Sequence, residues 1–287
     1  MSVNDVKLIA LDLDGTLLNS DKALTARTRA ALESAAERGV RIVPATGRFY
    51  RGMPEAVRAL PFVRYAITMN GAQVLDAETG ETIYSADIPT EEALAFYEHL
   101  DTLPVIYDCY IDGWGYMTAS MQERAEDYVG GDLHLLNMIR ELRSPVPELK
   151  AYIAEGRCRP QKMQLFTPDA AFRDALLPRL TERCPQFAVS TSLRCNIEVN
   201  SRAADKGRAL LALAERLGVR REQTAAFGDG LNDLSMIRAA GVGVAMANGH
   251  PEVRAAADML TDDCDADGVA KGIERLLDMG EEQKRVF

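Results

Sequence analysis

The chain is poor in the features that would tie it to an extracellular scaffold, a membrane or a nucleic acid. Its five cysteines, Cys109, Cys158, Cys184, Cys195 and Cys264, are odd in number, scattered and never spaced Cys-x-x-Cys. That argues against a structural zinc site or a disulfide framework and for reduced, mostly buried thiols. No apolar run approaches the ~20 residues that a membrane helix requires. The opening Met-Ser-Val-Asn-Asp has neither the basic region nor the apolar stretch of a signal peptide, so a cytoplasmic protein is expected. Basic charge is also scarce: 33 Lys and Arg stand against 43 Asp and Glu, a net charge of −10. Gripping nucleic acid or an anionic membrane takes clustered Lys and Arg, so neither is an expected partner. An anionic substrate stays open, because one Lys beside a metal ion reverses the field locally. Repeats and low-complexity tracts are absent. At 287 residues, 47% of them apolar, the chain can bury a proper core in one large domain or two modest ones.

What the sequence does have is concentrated first in residues 7–18. Leu8 to Leu11 is a short unbroken apolar run, as in a strand buried on both faces. Asp12 and Asp14 follow, with Gly15 marking a turn. In extended backbone, residues two apart share a side, so both carboxylates start out facing one way. Two such charges repel unless one is protonated or a cation lies between them, which suggests a hard metal such as Mg²⁺. A solvated Asp-Gly turn fits the same five residues, Asp-x-Asp-Gly-Thr.

Further along, Thr25 can cap a helix to about Arg38, with Gly39 as its stop. Val40–Val43 reads as a second strand leading into Ala45-Thr46-Gly47-Arg48, and Gly52–Leu60 as a second helix. Tyr65–Met69 is a third strand, ending at Asn70-Gly71-Ala72. This alternation predicts an α/β fold with a doubly wound, mostly parallel Rossmann-like sheet, whose strand carboxyl ends line the ligand crevice. The rhythm breaks near residue 73. A hairpin is expected over Gln73–Asp76 and Thr82–Ser85, a helix over Thr90–Leu100, and a hairpin over Val105–Ile111 and Trp114–Thr118. Strands follow at Lys162–Phe166, Phe187–Ser192 and Asn196–Val199, with a helix near Asp169–Arg183 that Pro178 is placed to kink or divide. The alternating rhythm then returns. A helix over Asp205–Leu217 leads to a strand at Thr224–Phe227 and the run Gly228-Asp229-Gly230-Leu231-Asn232-Asp233. A helix over Asn232–Ala240, a strand at Val242–Ala245 and helices over Pro251–Ala257 and Gly268–Leu277 complete it. Residues 1–83 and 195–287 are therefore expected to form the core, and 84–194 an inserted α+β domain.

Taken singly, each chemical residue has an ordinary use. Thr46 can cap a helix, Lys206 can be a solvated surface lysine, and Gly228–Asp233 can be a tight strand-to-helix turn. Their combination and order resemble the haloacid dehalogenase-like (HAD) hydrolases. Asp12-Leu13-Asp14-Gly15-Thr16 is similar to that family's first motif and Thr46 to its second. Lys206 is similar to the third, and Gly228-Asp229-Gly230-Leu231-Asn232-Asp233 to the fourth. The insert after Asn70-Gly71-Ala72 is similar in position and size to the cap of the Cof-type subfamily.

The resemblance implies phosphoryl transfer through an aspartyl-phosphate, with Asp12 as nucleophile and Asp14 as acid and then base. It implies Mg²⁺ on Asp12, the Asp14 carbonyl and Asp229, with Asp233 supporting the metal or Lys206 from behind. Thr46, Lys206 and Asn232 would hold the phosphoryl oxygens, while Arg48, Asn70 and Asn248 lie on similar loops within reach of substrate. The acid at position 14 favours ester hydrolysis, since a departing alkoxide needs a proton. The expected protein is a Mg²⁺-dependent phosphatase of small phosphorylated metabolites, sugar phosphates included, working as a monomer or homodimer. A sugar phosphomutase shares the intermediate, and a non-catalytic phosphate-binding protein is the reading from another class.

Overall fold

The computed structural model describes residues 6–156 and 159–284, with side chains described as far as Asp278. Cys158 and the opening five residues lie outside the described residues. The first strands are β1 (Leu8–Leu11), β2 (Arg41–Pro44), β3 (Tyr65–Thr68), β4 (Gln73–Asp76) and β5 (Thr82–Ser85). Next come β6 (Ile106–Ile111), β7 (Trp114–Thr118), β8 (Arg143–Val146), β9 (Lys162–Phe166), β10 (Phe187–Ser190) and β11 (Asn196–Ser201). β12 (Thr224–Gly228), β13 (Val242–Ala245) and β14 (Met259–Leu260) complete the set.

Two compact units result. The first holds the described residues up to Arg48, Met53–Tyr84, and the described residues from Asp205 on. Its sheet is parallel in the order β14-β13-β12-β1-β2. β1 lies between β12 and β2 with Ile9 opposite Ala225 and Ile42, so all four of its residues are buried. This central place is why its sequence is an unbroken apolar run rather than an alternating one. The chain leaves β1 toward β2 and later returns on the other side at β12, so the strand order reverses between β1 and β12. In doubly wound sheets ligands bind at that reversal, beyond the carboxyl ends of the strands.

Three expectations change here. β3 meets the parallel sheet through one bridge, Ala45 to Ile67, and otherwise pairs antiparallel with β4 in a separate sheet ordered β3-β4-β5. The helix expected over Gly52–Leu60 is instead a 3-10 turn at Tyr50–Gly52 and a single helical turn at Glu55–Arg58. Pro54 interrupts it, because proline has no N–H for the preceding turn and suits a helix start. The helix expected from Asn232 is a 3-10 turn at Leu231–Asp233 followed by Leu234–Ala239. There the Asp233 carboxylate accepts the backbone N–H groups of Asp229 and Gly230 and tightens the turn. The first helix, Ala26–Glu37, matches its sequence signals: Thr25 accepts the Thr28 N–H, and Gly39 turns with φ +84°.

The second unit comprises Phe49–Gly52 and Ser85–Ala204, around a sheet ordered β10-β11-β9-β6-β7-β8. Its chain runs past residue 195, the expected return, because β11 pairs antiparallel with both β9 and β10. One sheet face carries Tyr107, Cys109, Ile111, Met163, Leu165, Ile197 and Val199 into an apolar core with the helix Thr90–Leu100. The helix Ala170–Arg183 runs undivided through Pro178. The sequence pattern assigns no elements between Thr118 and Lys162. The structure places there helices at Ala119–Glu123, Leu133–Leu142 and Leu149–Glu155, and strand β8. The described cysteines are free thiols, and among the described residues no helix is long and apolar enough to cross a membrane.

Candidate active site

The site residues all belong to the first unit. Asp12 follows β1 directly, its N–H donating to Phe227 O at 3.0 Å, so the end of β1 is fixed to the end of β12. Gly15 then turns with φ +88°, where an added Cβ would lie 2.6 Å from Asp229 Oδ2. Only glycine lets the first acidic turn come this close to the second.

Lys206 opens the helix Lys206–Arg216, which Asp205 caps by accepting the Arg208 N–H at 2.7 Å. Far from a solvated lysine, it is fully buried. Its Nζ donates to Asp12 Oδ1 at 2.7 Å and to Asp233 Oδ1 at 2.6 Å. These two carboxylates raise the ammonium's proton affinity and outweigh its burial. Asp233 spends its other oxygen on the N–H groups of Asp229 and Gly230, at 3.0 and 2.9 Å. Asp229 Oδ1 accepts the Thr16 hydroxyl at 2.7 Å. Among the described residues this leaves Asp12 Oδ2 and Asp229 Oδ2 without a protein donor.

Asp12, Asp229 and Asp233 each present a carboxylate oxygen within 4.8 Å of the others. Three carboxylates share one ammonium, so the cluster is short of positive charge. Burial, with Asp233 facing it, pushes Asp12 up to about 8 despite Lys206. Burial also raises Asp229, with Asp233 adding to it against the Thr16 hydrogen bond. An all-oxygen set with this deficit fits a hard divalent cation, which would take Asp12 and Asp229, while Asp233 is already saturated by protein donors.

Asp14 has a different set of partners. Arg48 Nε donates to its Oδ2 and Nη2 to its Oδ1, both at 2.9 Å, and Lys22 Nζ lies 2.9 Å from Oδ1. Burial alone would raise its pKa; the two cations reverse this and hold it below the usual carboxylate range. The side chains of Asp12 and Asp14, expected to start out facing one way, are thus engaged by different cations.

Thr46 is buried, and its hydroxyl accepts the Arg48 N–H at 3.1 Å. Asn232 donates to Asn70 Oδ1 at 3.3 Å, so these two candidates meet. Asn248 donates to Gly15 O at 2.8 Å and accepts the Cys264 N–H at 3.1 Å, which gives it a role in holding the first turn. Two residues that the sequence did not single out also act here. Thr16 lies inside the opening motif and orients Asp229. Lys22 sits on a loop with φ +59° and carries no sequence signal at all.

Gly71 shows how closely the parts are fitted. At φ +89° an added Cβ would lie 2.3 Å from the backbone carbon of Asp205, directly before Lys206. Gly71→Ala is expected to cost about 2–3 kcal/mol from backbone strain and steric conflict. It should also displace Lys206 and lower kcat. Urea unfolding and steady-state kinetics on the same preparation check both effects.

Residues 9–273 match the family model for haloacid dehalogenase-like hydrolases. Phosphatase YwpJ of Bacillus subtilis (strain 168) is 30% identical over 297 aligned residues, covering 95% of this chain and all of that one. The 5-amino-6-(5-phospho-D-ribitylamino)uracil phosphatase YcsE of the same organism is also 30% identical, covering 94% and 95%. Among solved structures, a haloacid dehalogenase-like hydrolase from Bacteroides thetaiotaomicron superposes with a TM-score of 0.80 at 31% identity. That match covers 95% of this chain and 100% of the other.

Proposed function

Since the chain belongs to the haloacid dehalogenase-like hydrolases, we propose that it is a Mg²⁺-dependent phosphatase of small phosphorylated metabolites, working through an aspartyl-phosphate on Asp12. The observation that carries this reading is the buried Lys206 bridging Asp12 and Asp233. It fixes one oxygen of Asp12 and leaves the other, Oδ2, to attack.

In the first step Asp12 Oδ2 bonds to phosphorus while the bond from phosphorus to the ester oxygen breaks, and Asp14 gives that oxygen its proton. Asp14 is held here as a carboxylate by Arg48 and Lys22. An anionic substrate that draws Arg48 to itself raises Asp14's proton affinity, so the acid forms when it is needed. In the second step Asp14 takes a proton from water, the water oxygen bonds to phosphorus, and the bond to Asp12 breaks to release phosphate. In this reading Lys206, the Thr46 hydroxyl and the Asn232 amide would meet the charge on the transferring group. A Mg²⁺ on Asp12, Asp229 and the Asp14 carbonyl would supply charge that offsets the repulsion between carboxylate and phosphate. YcsE and YwpJ, both phosphatases by name, support the reaction class, as does the phosphorylated substrate in the name of YcsE. Screening phosphorylated metabolites for phosphate release with Mg²⁺ tests the reading. Full activity after exhaustive chelation would sink the metal assignment, and Ca²⁺, which prefers more and longer ligand contacts, is expected to inhibit.

The raised Asp12 gives a pH prediction. Its folded pKa of about 8 exceeds the unfolded 3.8, so the metal-free fold loses stability as pH climbs between those values. Cation binding needs the ionised carboxylate and removes that penalty. The rise in Tm on adding Mg²⁺ should therefore be larger at pH 8 than at pH 5.5. Thermal scans at both pH values read it directly, and an equal rise at both would contradict the assignment.

A further inference from the structure

Each aspartate of the opening motif has one oxygen tied to a lysine, and the two lysines differ in kind. Lys206 is buried and donates to Asp12 Oδ1. The Lys22 side chain is 59% exposed, and its Nζ lies 2.9 Å from Asp14 Oδ1. An exposed ion pair between two freely moving side chains contributes little, because solvent screens it and both chains must be ordered. The Lys22 backbone sets this pair apart, since it lies in the left-handed region at φ +59°. A lysine is strained there, and such strain persists where the surroundings over-determine it.

The surroundings here are a loop closed on itself. The Asn19 N–H donates to Ala23 O at 3.1 Å and the Lys22 N–H to Asn19 O at 2.9 Å. Asn19 Oδ1 accepts the Ala23 N–H at 2.8 Å, and the Ser20 N–H donates to Asp265 Oδ1 at 2.8 Å. At the base of the loop the Leu17 N–H donates to Asp12 O at 3.1 Å and the Leu18 N–H to Leu13 O at 2.9 Å. Both leucines are buried. The loop is thus anchored on the backbone of the opening motif, and it holds Lys22 against Asp14. Glycine suits the backbone at this position but would bring no ammonium.

The contacts on Asp14 divide between its two oxygens. Arg48 Nε donates to Oδ2, while Arg48 Nη2 and Lys22 Nζ share Oδ1. When an anionic substrate draws Arg48 away, Oδ2 loses its one protein donor among the described residues and Oδ1 keeps Lys22.

We propose that Lys22 is a positioning residue that acts through Asp14, holding Oδ1 so that Oδ2 is the oxygen that passes the proton. In the first step the proton on Oδ2 goes to the ester oxygen as the bond from that oxygen to phosphorus breaks. In the second, Oδ2 takes a proton from the water whose oxygen bonds to phosphorus. This rests on the reading of Asp14 as the acid and base, with Arg48 released to the substrate. Lys22 does not touch Asp12, so its effect belongs to proton transfer and not to attack at phosphorus.

The test uses the full-length enzyme with Mg²⁺ and the variants Lys22→Met, Lys22→Gly and Lys22→Arg. Formation of the phosphoenzyme is measured in single turnovers with an alkyl ester, β-glycerol phosphate, and with p-nitrophenyl phosphate, whose leaving group departs without a proton. Lys22→Met and Lys22→Gly are each expected to slow the alkyl ester about tenfold and the nitrophenyl ester by no more than about twofold. Lys22→Arg keeps a cationic donor and should restore most of the alkyl rate. Lys22→Gly relieves the backbone at φ +59° and gives up one exposed pair, so it should melt no lower than the unaltered protein. A variant that is slower on the alkyl ester yet no less stable is not what a merely structural lysine gives. The nitrophenyl rate doubles as the check that a variant is folded. An equal fall with both esters, unchanged rates with both, or Lys22→Arg as slow as Lys22→Met would each overturn the proposal. Absence of a phosphoenzyme from the unaltered protein would overturn the underlying mechanism instead, a separate result.

Discussion

Asp12→Asn is expected to lose turnover by about four orders of magnitude or more while the fold stays intact. The amide keeps the shape of the side chain and its place beside Lys206, but has no anionic oxygen with which to attack phosphorus. The same change has an opposite effect on stability. In the metal-free protein Asp12 is ionised only against burial and the facing Asp233, which is why its pKa climbs to about 8. A neutral amide escapes that penalty. At pH 8 under chelation, Asp12→Asn should therefore melt at or above the unaltered protein; on adding Mg²⁺ the order should reverse, since the variant has lost a ligand. Phosphate-release assays and thermal scans with and without the metal read both halves. Substantial turnover by Asp12→Asn would remove the covalent mechanism.

Asp14→Asn should fail differently. It keeps the nucleophile, the Lys206 bridge and the backbone carbonyl, and loses only proton transfer. With p-nitrophenyl phosphate the first step needs no proton, so a burst of nitrophenol close to one per active site is expected. The second step needs a base for water, which an amide cannot be, and steady turnover should fall by about 10²–10⁴-fold. Rapid-quench kinetics separates the phases. A variant that binds substrate normally yet gives no burst would show that Asp14 has some other role.

The parallel core was legible in the sequence because its strands are buried on both faces and its helices carry their own punctuation. Leu8–Leu11 needs no tertiary information to be read as a central strand, and Thr25, Gly39 and Asp205 mark helix ends by local chemistry alone. The carboxylates and Lys206 were legible only jointly, since each alone has a commoner use on a protein surface. What stayed hidden depends on contacts remote in sequence. Nothing about Lys22 says that it will meet Asp14, and nothing in Phe49–Gly52 says that these residues will stack on a hairpin some sixty positions away. The break at Pro54 was readable in principle, since a proline inside an expected helix is its own warning. So was the helix Leu133–Leu142, where Asp132 accepts the Leu135 N–H and Leu135, Leu136 and Ile139 repeat at helical spacing. β8 was not: Arg143-Ser-Pro-Val has a proline and an arginine in four residues, and is a strand because it pairs parallel with β7 at the sheet edge. The return of the chain at Asp205, ten residues past the expected 195, likewise follows from the pairing of β11 and not from composition.

The central claim is that phosphate passes through Asp12. The most direct measurement is peptide mass spectrometry on enzyme quenched in acid during turnover, with Asp14→Asn used alongside to let the intermediate accumulate. The account predicts one added phosphoryl group on the peptide from residues 7–18, localised to Asp12, abundant in Asp14→Asn and lost in Asp12→Asn. A phosphoryl group on any other residue, or rapid phosphate release with no covalent adduct in either protein, would contradict it.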